Sequence, residues 1–510
     1  MSVRLSSSLS LLAASALGIV ACSGGHVPSE GDDGVGGNVS GVGGDVSGGA
    51  TGSGGAFGVG GVASGGASDG VGGGMDPSPA GGAPNVGGNG GSSAGGGSGG
   101  AEPGAGGGAP TTGGSGNDVS AWGEVENPSA DCEVGPLPSV GSLTASAKLP
   151  DPFKKMDGTR ITSKSEWRCR REEIRKQALA FIYGEKPETP KSAVSGDVSS
   201  TMITVEVNDG GKMTSFNVTV NMNGATAPAP AIIGYGGVGG MKVPAGVATL
   251  NFSPVESTGG SGAKNGPFYT AYGANHEAGY LTAQAWQISR LLDLLEAKPD
   301  VIDPKHVAVT GCSRYGKGAF VAGALDNRIA LTIPVESGLG GTVGLRLVEV
   351  LDSYSGSEWP YHAISYVRWL SEKALGQFTT GNSAGADNTD KLPVDMHEMM
   401  GLIAPRGLYI VDNPSTMYNG LDRNSAWVTA KVGQMIFEAL GVGDHMAYEG
   451  ASGSHCSWRE QYTPSLNAMI DKFLLEKSGT TTGTFKTDLP NPPNHTTHID
   501  WEPPTLAGEL

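Results

Sequence analysis

Val307-Ala308-Val309-Thr310-Gly311-Cys312-Ser313-Arg314-Tyr315-Gly316-Lys317-Gly318-Ala319 is the stretch on which the reading of this chain turns. A β-branched apolar run breaks at Gly311, presents Ser313, and passes directly into a small-residue segment of helical character. A serine on a tight strand-to-helix turn exposes its hydroxyl at the end of a sheet, and small flanking residues let the turn close without clashes. The spacing departs from Gly-x-Ser-x-Gly, because the second glycine, Gly316, comes one residue late. Ser313 therefore needs partners elsewhere in the chain before it can be read as a nucleophile.

Outward from this turn, strands and helices alternate. Thr201–Val207 and Phe216–Asn221 have the alternation of half-buried strands, with Asn208-Asp209-Gly210-Gly211 as their turn. Ala231–Tyr235 and Val247–Phe252 are apolar runs of the kind buried parallel strands show. From Glu277 to Leu295 the spacing is helical, with Trp286, Ile288, Leu291, Leu292 and Leu295 on one apolar face. The strand Val307–Thr310, a helix to Leu325, and the strands Leu331–Val335 and Gly407–Val411 follow. A helix over 426–440, a short strand His445–Tyr448 and a helix over 466–474 complete the series. This order predicts an α/β fold with a parallel sheet covered on both faces, whose active residues gather at the carboxyl ends of the strands. The Pro- and Thr-rich tail after Ser478 is expected to wrap the surface.

A nucleophilic serine needs a base and an acid that orients it. His455, in Gly453-Ser454-His455-Cys456, falls in the loop between the final predicted strand and helix. Two carboxylates lie between serine and histidine in the chain, as the order Ser…Asp/Glu…His requires. Glu336 ends one strand and Asp412 another, and sequence order does not separate them, although the usual position for this order favours Asp412. Lys317, four residues after Ser313, rises on the same helical face, and Arg314 follows the nucleophile directly. Two cations at a helix start oppose the helix dipole, which points to a task such as holding a developing oxyanion or an oxygen-rich substrate. No His-Glu-x-x-His and no paired Cys-x-x-Cys occurs, so neither a metal nor another cofactor is expected.

Composition divides the 510 residues, 86 of them glycine, into unequal parts. Between Ser23 and Asn117 nearly every residue is Gly, Ala, Ser, Val or Asp, a composition too polar and small to offset chain entropy by burial. Residues 23–126 are read as a tether; about ninety-five residues of Gly-rich coil reach roughly 50–60 Å. Residues 127–510 are read as one α/β domain. Residues 1–22 have a targeting pattern: Arg4, an apolar stretch from Leu9 to Val20, then Ala21-Cys22. Cys22 after a small residue resembles the lipoprotein box of bacteria, which implies a lipid on Cys22 and a cell-surface location; plain secretion is the alternative. The formal charge of −17 and the lack of a basic run exclude a nucleic-acid surface. Without Cys22, the cysteines are Cys132, Cys169, Cys312 and Cys456, an even set suited to an oxidising compartment. Four cysteines allow three connectivities. Chain position favours Cys132–Cys169 and, with it, Cys312–Cys456, whose neighbours are Ser313 and His455.

The elbow Gly-Cys-Ser-Arg-Tyr-Gly-Lys resembles that of the glucuronoyl esterases, a carbohydrate-esterase family. Further similar segments are Leu149–Phe153, Trp167–Ile174, Ile232–Gly237, Pro244–Ala248, Glu336–Gly338, Leu402–Gly407, Glu438–Val442 and His455-Cys456. The resemblance spans the folded part and excludes the tether. It implies an α/β-hydrolase, a three-layer α/β/α sandwich with a mostly parallel central sheet. It also implies Ser313 as nucleophile, His455 as base, Glu336 rather than Asp412 as acid, Arg314 at the oxyanion, and both disulfides. Lys317 would bond hydroxyls of the uronic acid ring, with Glu358 and Tyr418 the nearest matches to the family's sugar-binding glutamate and aromatic residue. The family's substrate-binding glutamine has no clear counterpart here.

The function implied is that of a carboxylic ester hydrolase acting through an acyl-enzyme. Its substrate would be the ester of (4-O-methyl-)D-glucuronic acid in glucuronoxylan with lignin alcohols, and its form a monomer touching membrane only through the lipid. The alternatives are a deacetylase of xylan or another carbohydrate, and a surface protein that binds carbohydrate without turnover.

Overall fold

The computed structural model describes residues 124–254, 264–351, 358–365, 367–379, 387–415 and 421–510. The targeting segment with Cys22, the tether up to residue 123 and Tyr418 lie outside the described residues. Ten strands form one sheet: β1 (Val194–Val198), β2 (Met202–Asp209), β3 (Lys212–Asn221), β4 (Ala229–Tyr235), β5 (Ala248–Phe252), β6 (Ile302–Cys312), β7 (Leu331–Val335), β8 (Gly407–Asp412), β9 (Met446–Gly450) and β10 (Phe485–Thr487). Their spatial order is β1-β2-β3-β5-β4-β6-β7-β8-β9-β10. From β5 through β10 every pairing is parallel, and β1, β2, β3 and β5 pair antiparallel. The chain is an α/β-hydrolase with a mostly parallel sheet, as its family resemblance implies.

The strands form where the sequence permits burial of one face or of both. In β2 only Ile203, Val205 and Val207 are buried, the one-sided pattern of an edge hairpin, and Asp209 pairs with Lys212 across Gly210-Gly211. β7 and β8 are buried along their whole length, as central parallel strands covered on both faces must be. Alternate residues serve two cores. Ala231, Ile233, Val307, Val309, Leu408 and Ile410 belong to the larger, with helices Tyr280–Ala297, Arg314–Leu325, Met396–Ile403 and Arg423–Ala439. Ile232, Ala308, Ile333, Tyr409 and Ala447 belong to the smaller, with Leu466, Met469, Ile470 and Phe473 of helix Thr463–Phe473. A one-residue slip of register would exchange these faces, so the pattern fixes the pairing.

Two boundaries differ from the reading of composition. Glu126, assigned to the end of the tether, is an ion-pair partner of buried Lys186 and of buried Arg290, the latter at 2.6 Å. Burial would raise its pKa, but the Lys186 and Arg290 cations hold it below the ordinary value. The tail after Ser478 does more than wrap the surface: Phe485–Thr487 extends the sheet beside β9. Trp501 is 8% exposed and donates through Nε1 to the Leu149 carbonyl at 3.0 Å. The helix Lys164–Ala178, begun by a capping box of Ser163 and Glu166, carries Cys169, whose Cα lies 5.4 Å from that of Cys132 in a disulfide. The described residues contain no helix long and apolar enough to cross a membrane.

Candidate active site

The parallel strands deliver the candidate residues at their carboxyl ends. β6 runs into Ser313, β7 into Glu336, β8 ends at Asp412, and the segment after β9 carries His455. Ser313 has φ +58° and ψ −127°, Glu336 φ +46° and Cys456 φ +58°. A side chain in this region costs about 1–3 kcal/mol and persists only where its surroundings over-determine it. Here they do. The Ser313 amide donates to the Val335 carbonyl at 2.9 Å, and the Glu336 amide to Val411 at 2.7 Å. The Lys317 amide donates to the Ser313 carbonyl at 3.0 Å, so the helix grows directly from the turn. Gly316 is where this turn meets the sheet: a Cβ there would stand 2.5 Å from the Val335 carbonyl oxygen. The glycine that comes one position late is thus the one that lets the helix approach β7.

Cys312 and Cys456 form a disulfide with Cα atoms 5.7 Å apart. Ser313 and His455 are their respective chain neighbours, so one covalent link ties the serine turn to the histidine loop across 144 residues of sequence. Donor atoms of Cys312, Glu336, His455 and Cys456 all lie within 4.8 Å of one another. This cluster is poorly suited to a metal ion, because both sulfurs are bonded to each other and the Glu336 carboxylate is already engaged.

Glu336 is fully buried. Its Oε2 lies 2.6 Å from Nδ1 of His455 and accepts from the Cys456 amide at 2.9 Å, and Asn413 Nδ2 approaches at 3.5 Å. Its Oε1 accepts from Arg459 Nη1 at 2.9 Å. Burial alone would raise the pKa of this carboxyl, but the bonds from His455, the Cys456 amide and Arg459 outweigh it and hold the group below its ordinary value. An ionised carboxylate facing Nδ1 fixes the proton there, so a neutral His455 carries its lone pair on Nε2, the tautomer a general base requires.

Asp412 is placed differently. Its Oδ2 accepts from the Tyr448 hydroxyl at 2.9 Å and its Oδ1 from the Asn413 amide at 2.8 Å. Of the two carboxylates left open by chain order, Glu336 is the one within hydrogen-bond distance of the His455 Nδ1.

The cations beside the serine separate. Arg314 is exposed, with its guanidinium carbon 5.6 Å from the Tyr315 ring centroid. Lys317 is fully buried, and its Nζ donates to Glu358 Oε2 at 2.6 Å and to the Ser337 carbonyl at 2.5 Å, 4.3 Å from the Trp369 ring centroid. Glu358 also accepts from the Leu339 amide at 3.2 Å, and its side chain is 21% exposed. Arg459, Asn413 and Trp369 are site residues that the sequence reading missed. Arg459 was within reach, since it lies four positions beyond His455 in the same loop; Trp369 is far from Lys317 in sequence and carries no local signal.

The family model described as glucuronyl esterase, fungi, matches residues 205–441 of this chain. The 4-O-methyl-glucuronoyl methylesterase of Hypocrea jecorina is 38% identical over 380 residues, covering 73% of this chain and 79% of that protein. A protein of the same name from Podospora anserina is 39% identical over 372 residues, covering 71% of this chain and 75% of its own. Among solved structures, a serine-to-alanine mutant of glucuronoyl esterase from Sporotrichum thermophile, in complex with methyl 4-O-methyl-β-D-glucopyranuronate, is 35% identical. It matches with a TM-score of 0.67 over 74% of this chain and 100% of that one.

Proposed function

This chain belongs to the glucuronoyl esterase family of carboxylic ester hydrolases, and from that premise we propose that it cleaves the ester between C6 of a (4-O-methyl-)D-glucuronic acid in glucuronoxylan and a lignin alcohol. The observation that carries this reading is the Glu336–His455 pair, tethered beside Ser313 by the Cys312–Cys456 bridge. The relative in complex with methyl 4-O-methyl-β-D-glucopyranuronate, with a serine replaced by alanine, supports the same substrate class.

In this reading Ser313 Oγ attacks the ester carbonyl carbon while His455 Nε2 takes its proton. The carbonyl electrons move to an oxyanion, held by backbone amides and by Arg314 at the site mouth; one such donor is worth about 3–4 kcal/mol in comparable sites. Glu336 stabilises the imidazolium through Nδ1 without itself taking the proton. The C–O bond to the alcohol then breaks, and His455 returns the proton to the leaving oxygen. Water, deprotonated by His455, attacks the acyl-enzyme in the same manner and releases the free uronic acid with Ser313 restored. We assign binding of the sugar ring to Lys317 and Glu358 and, on the family resemblance alone, to Tyr418. Buried Lys317 fixes Glu358, whose side chain is partly exposed and would receive ring hydroxyls.

The two disulfides further support work outside the cell, by an exported protein held at the surface through Cys22 and the 23–126 tether, or secreted. Incubation with a benzyl ester of 4-O-methyl-glucuronate and, separately, with acetylated xylan tests the assignment. Release of benzyl alcohol with no release of acetate is the expected result. Acetate alone would make the protein a deacetylase, and neither product would leave a binding protein.

A further inference from the structure

The loop that carries His455 contains a cation for which the reaction as written has no task. Arg459 turns its guanidinium back against that loop. Besides Glu336, Nη1 donates to the Ser457 carbonyl at 2.8 Å, Nη2 to Ser454 at 3.3 Å and Nε to Ser452 at 3.4 Å. Its side chain is 13% exposed, and the guanidinium carbon lies 5.7 Å from the Tyr462 ring centroid. One planar fork thus joins the buried carboxylate to three carbonyls of the segment that holds the imidazole. Gly453 is fitted to the fork: a Cβ there would stand 2.6 Å from Nε, 2.7 Å from Nη2 and 2.9 Å from Cζ of Arg459.

We propose that Arg459 is a positioning residue for the hydrolysis: its charge and its fork hold Glu336 and the His455 loop together and thereby fix the acid limit of the reaction. The inference rests on Ser313, His455 and Glu336 acting as the triad described above. Without the guanidinium, the buried Glu336 charge faces His455 uncompensated and favours the imidazolium, which cannot take a proton from Ser313. Removing the cation also makes Glu336 itself easier to protonate. Both effects move the acid limit to higher pH. The other ionisable groups around the fork do not reverse this sign. Asp412, at the end of β8, and the Tyr462 phenol share its field. Asp488, from the C-terminal segment, anchors the loop by accepting from the Ser452 amide at 2.7 Å. Both carboxylates add negative charge that would likewise favour the imidazolium.

The test uses the full chain with Arg459→Gln, Arg459→Lys and Gly453→Ala, each checked for cooperative unfolding. Two rates are followed against pH: kcat/KM on methyl 4-O-methyl-glucuronate, and phosphonylation of Ser313 by a fluorophosphonate, which needs serine and base but no sugar. In Arg459→Gln the acid limb of both profiles moves up by about one pH unit. Its kcat falls about tenfold or more at neutral pH while KM changes less than about twofold. Arg459→Lys and Gly453→Ala, which keep a cation and disturb the fork, leave the limb in place and lose part of kcat.

Folded variants whose limb and kcat match the wild type, with only the melting temperature lowered, overturn the proposal. Should Arg459→Gln fail to fold, wild-type kcat in both folded Arg459→Lys and folded Gly453→Ala overturns it equally. A wild type that is phosphonylated but cleaves no glucuronate ester refutes the substrate assignment while the limb shift still decides on Arg459. A wild type that is not phosphonylated refutes the triad, and the role of Arg459 with it.

Discussion

Glu336 and Asp412 follow Val335 and Val411, which are paired residues on adjacent strands, and the His455 Nδ1 sits 2.6 Å from the first of these carboxylates. The second accepts from the Tyr448 hydroxyl. Neighbouring positions at one sheet edge thus have different partners. Glu336→Gln should lower kcat by about 10²–10⁴-fold, because an amide can neither fix the tautomer nor stabilise the imidazolium. Asp412→Asn should lower the melting temperature but change kcat by less than about threefold, since a carboxamide still accepts from Tyr448. Steady-state kinetics on the benzyl ester compare the two; equal losses would return Asp412 to candidacy.

Ser313→Ala should remove at least about 10⁴-fold of kcat. The backbone bonds that hold the turn do not involve the hydroxyl, so circular dichroism and the unfolding midpoint should stay close to wild type. Retention of most activity would refute the nucleophile.

The two disulfides should be separable by function. Replacing Cys312 and Cys456 together by serine removes a link across 144 residues, worth about 5 kcal/mol on the chain-entropy estimate. It should also cost at least about 10²-fold in kcat by releasing the histidine loop. The same change at Cys132 and Cys169, 37 residues apart, should cost about 4 kcal/mol and leave kcat per folded molecule unaltered. Denaturant titration and kinetics on the two double variants provide the check.

Glu336 should also mark the pH dependence of stability. Its folded pKa lies below its ordinary value of 4.5, so the unfolded chain binds this proton first as pH falls. The stabilisation is complete above about pH 4.5 and is lost as pH drops through the lower folded value. The stability gap between wild type and Glu336→Gln should therefore narrow as pH falls below about 4.5, as read by urea unfolding; a constant gap would contradict it.

Much of this arrangement was legible from local pattern. The runs at Ala231, Val307, Leu331 and Gly407 are apolar and β-branched because their strands are buried on two faces, and each was found, although the strand read from Val307 begins at Ile302. The short strand β1 was missed: Val194-Ser195-Gly196-Asp197-Val198 has a glycine and a charge at its centre and takes its strand form from pairing with β2. β10 was missed for a related reason, since Phe485–Thr487 is only three residues long and is ordered by β9. At the site, chain order could find two acids but not choose between them; the choice depends on which side chain the disulfide-held loop meets. Trp369 packs against Lys317, a partner distant in the chain that no one-dimensional spacing encodes, whereas Arg459 lies four positions beyond His455 in the same loop.

The segment around residue 500 closes over the beginning of the domain: Trp501 bonds Leu149, and Ala507 bridges to Ser163 beside the first long helix. A chain emerging amino end first, from ribosome or translocation pore, has to wait for more than three hundred intervening residues before this seal can form. Until then the apolar surface that this late segment covers stays open to solvent.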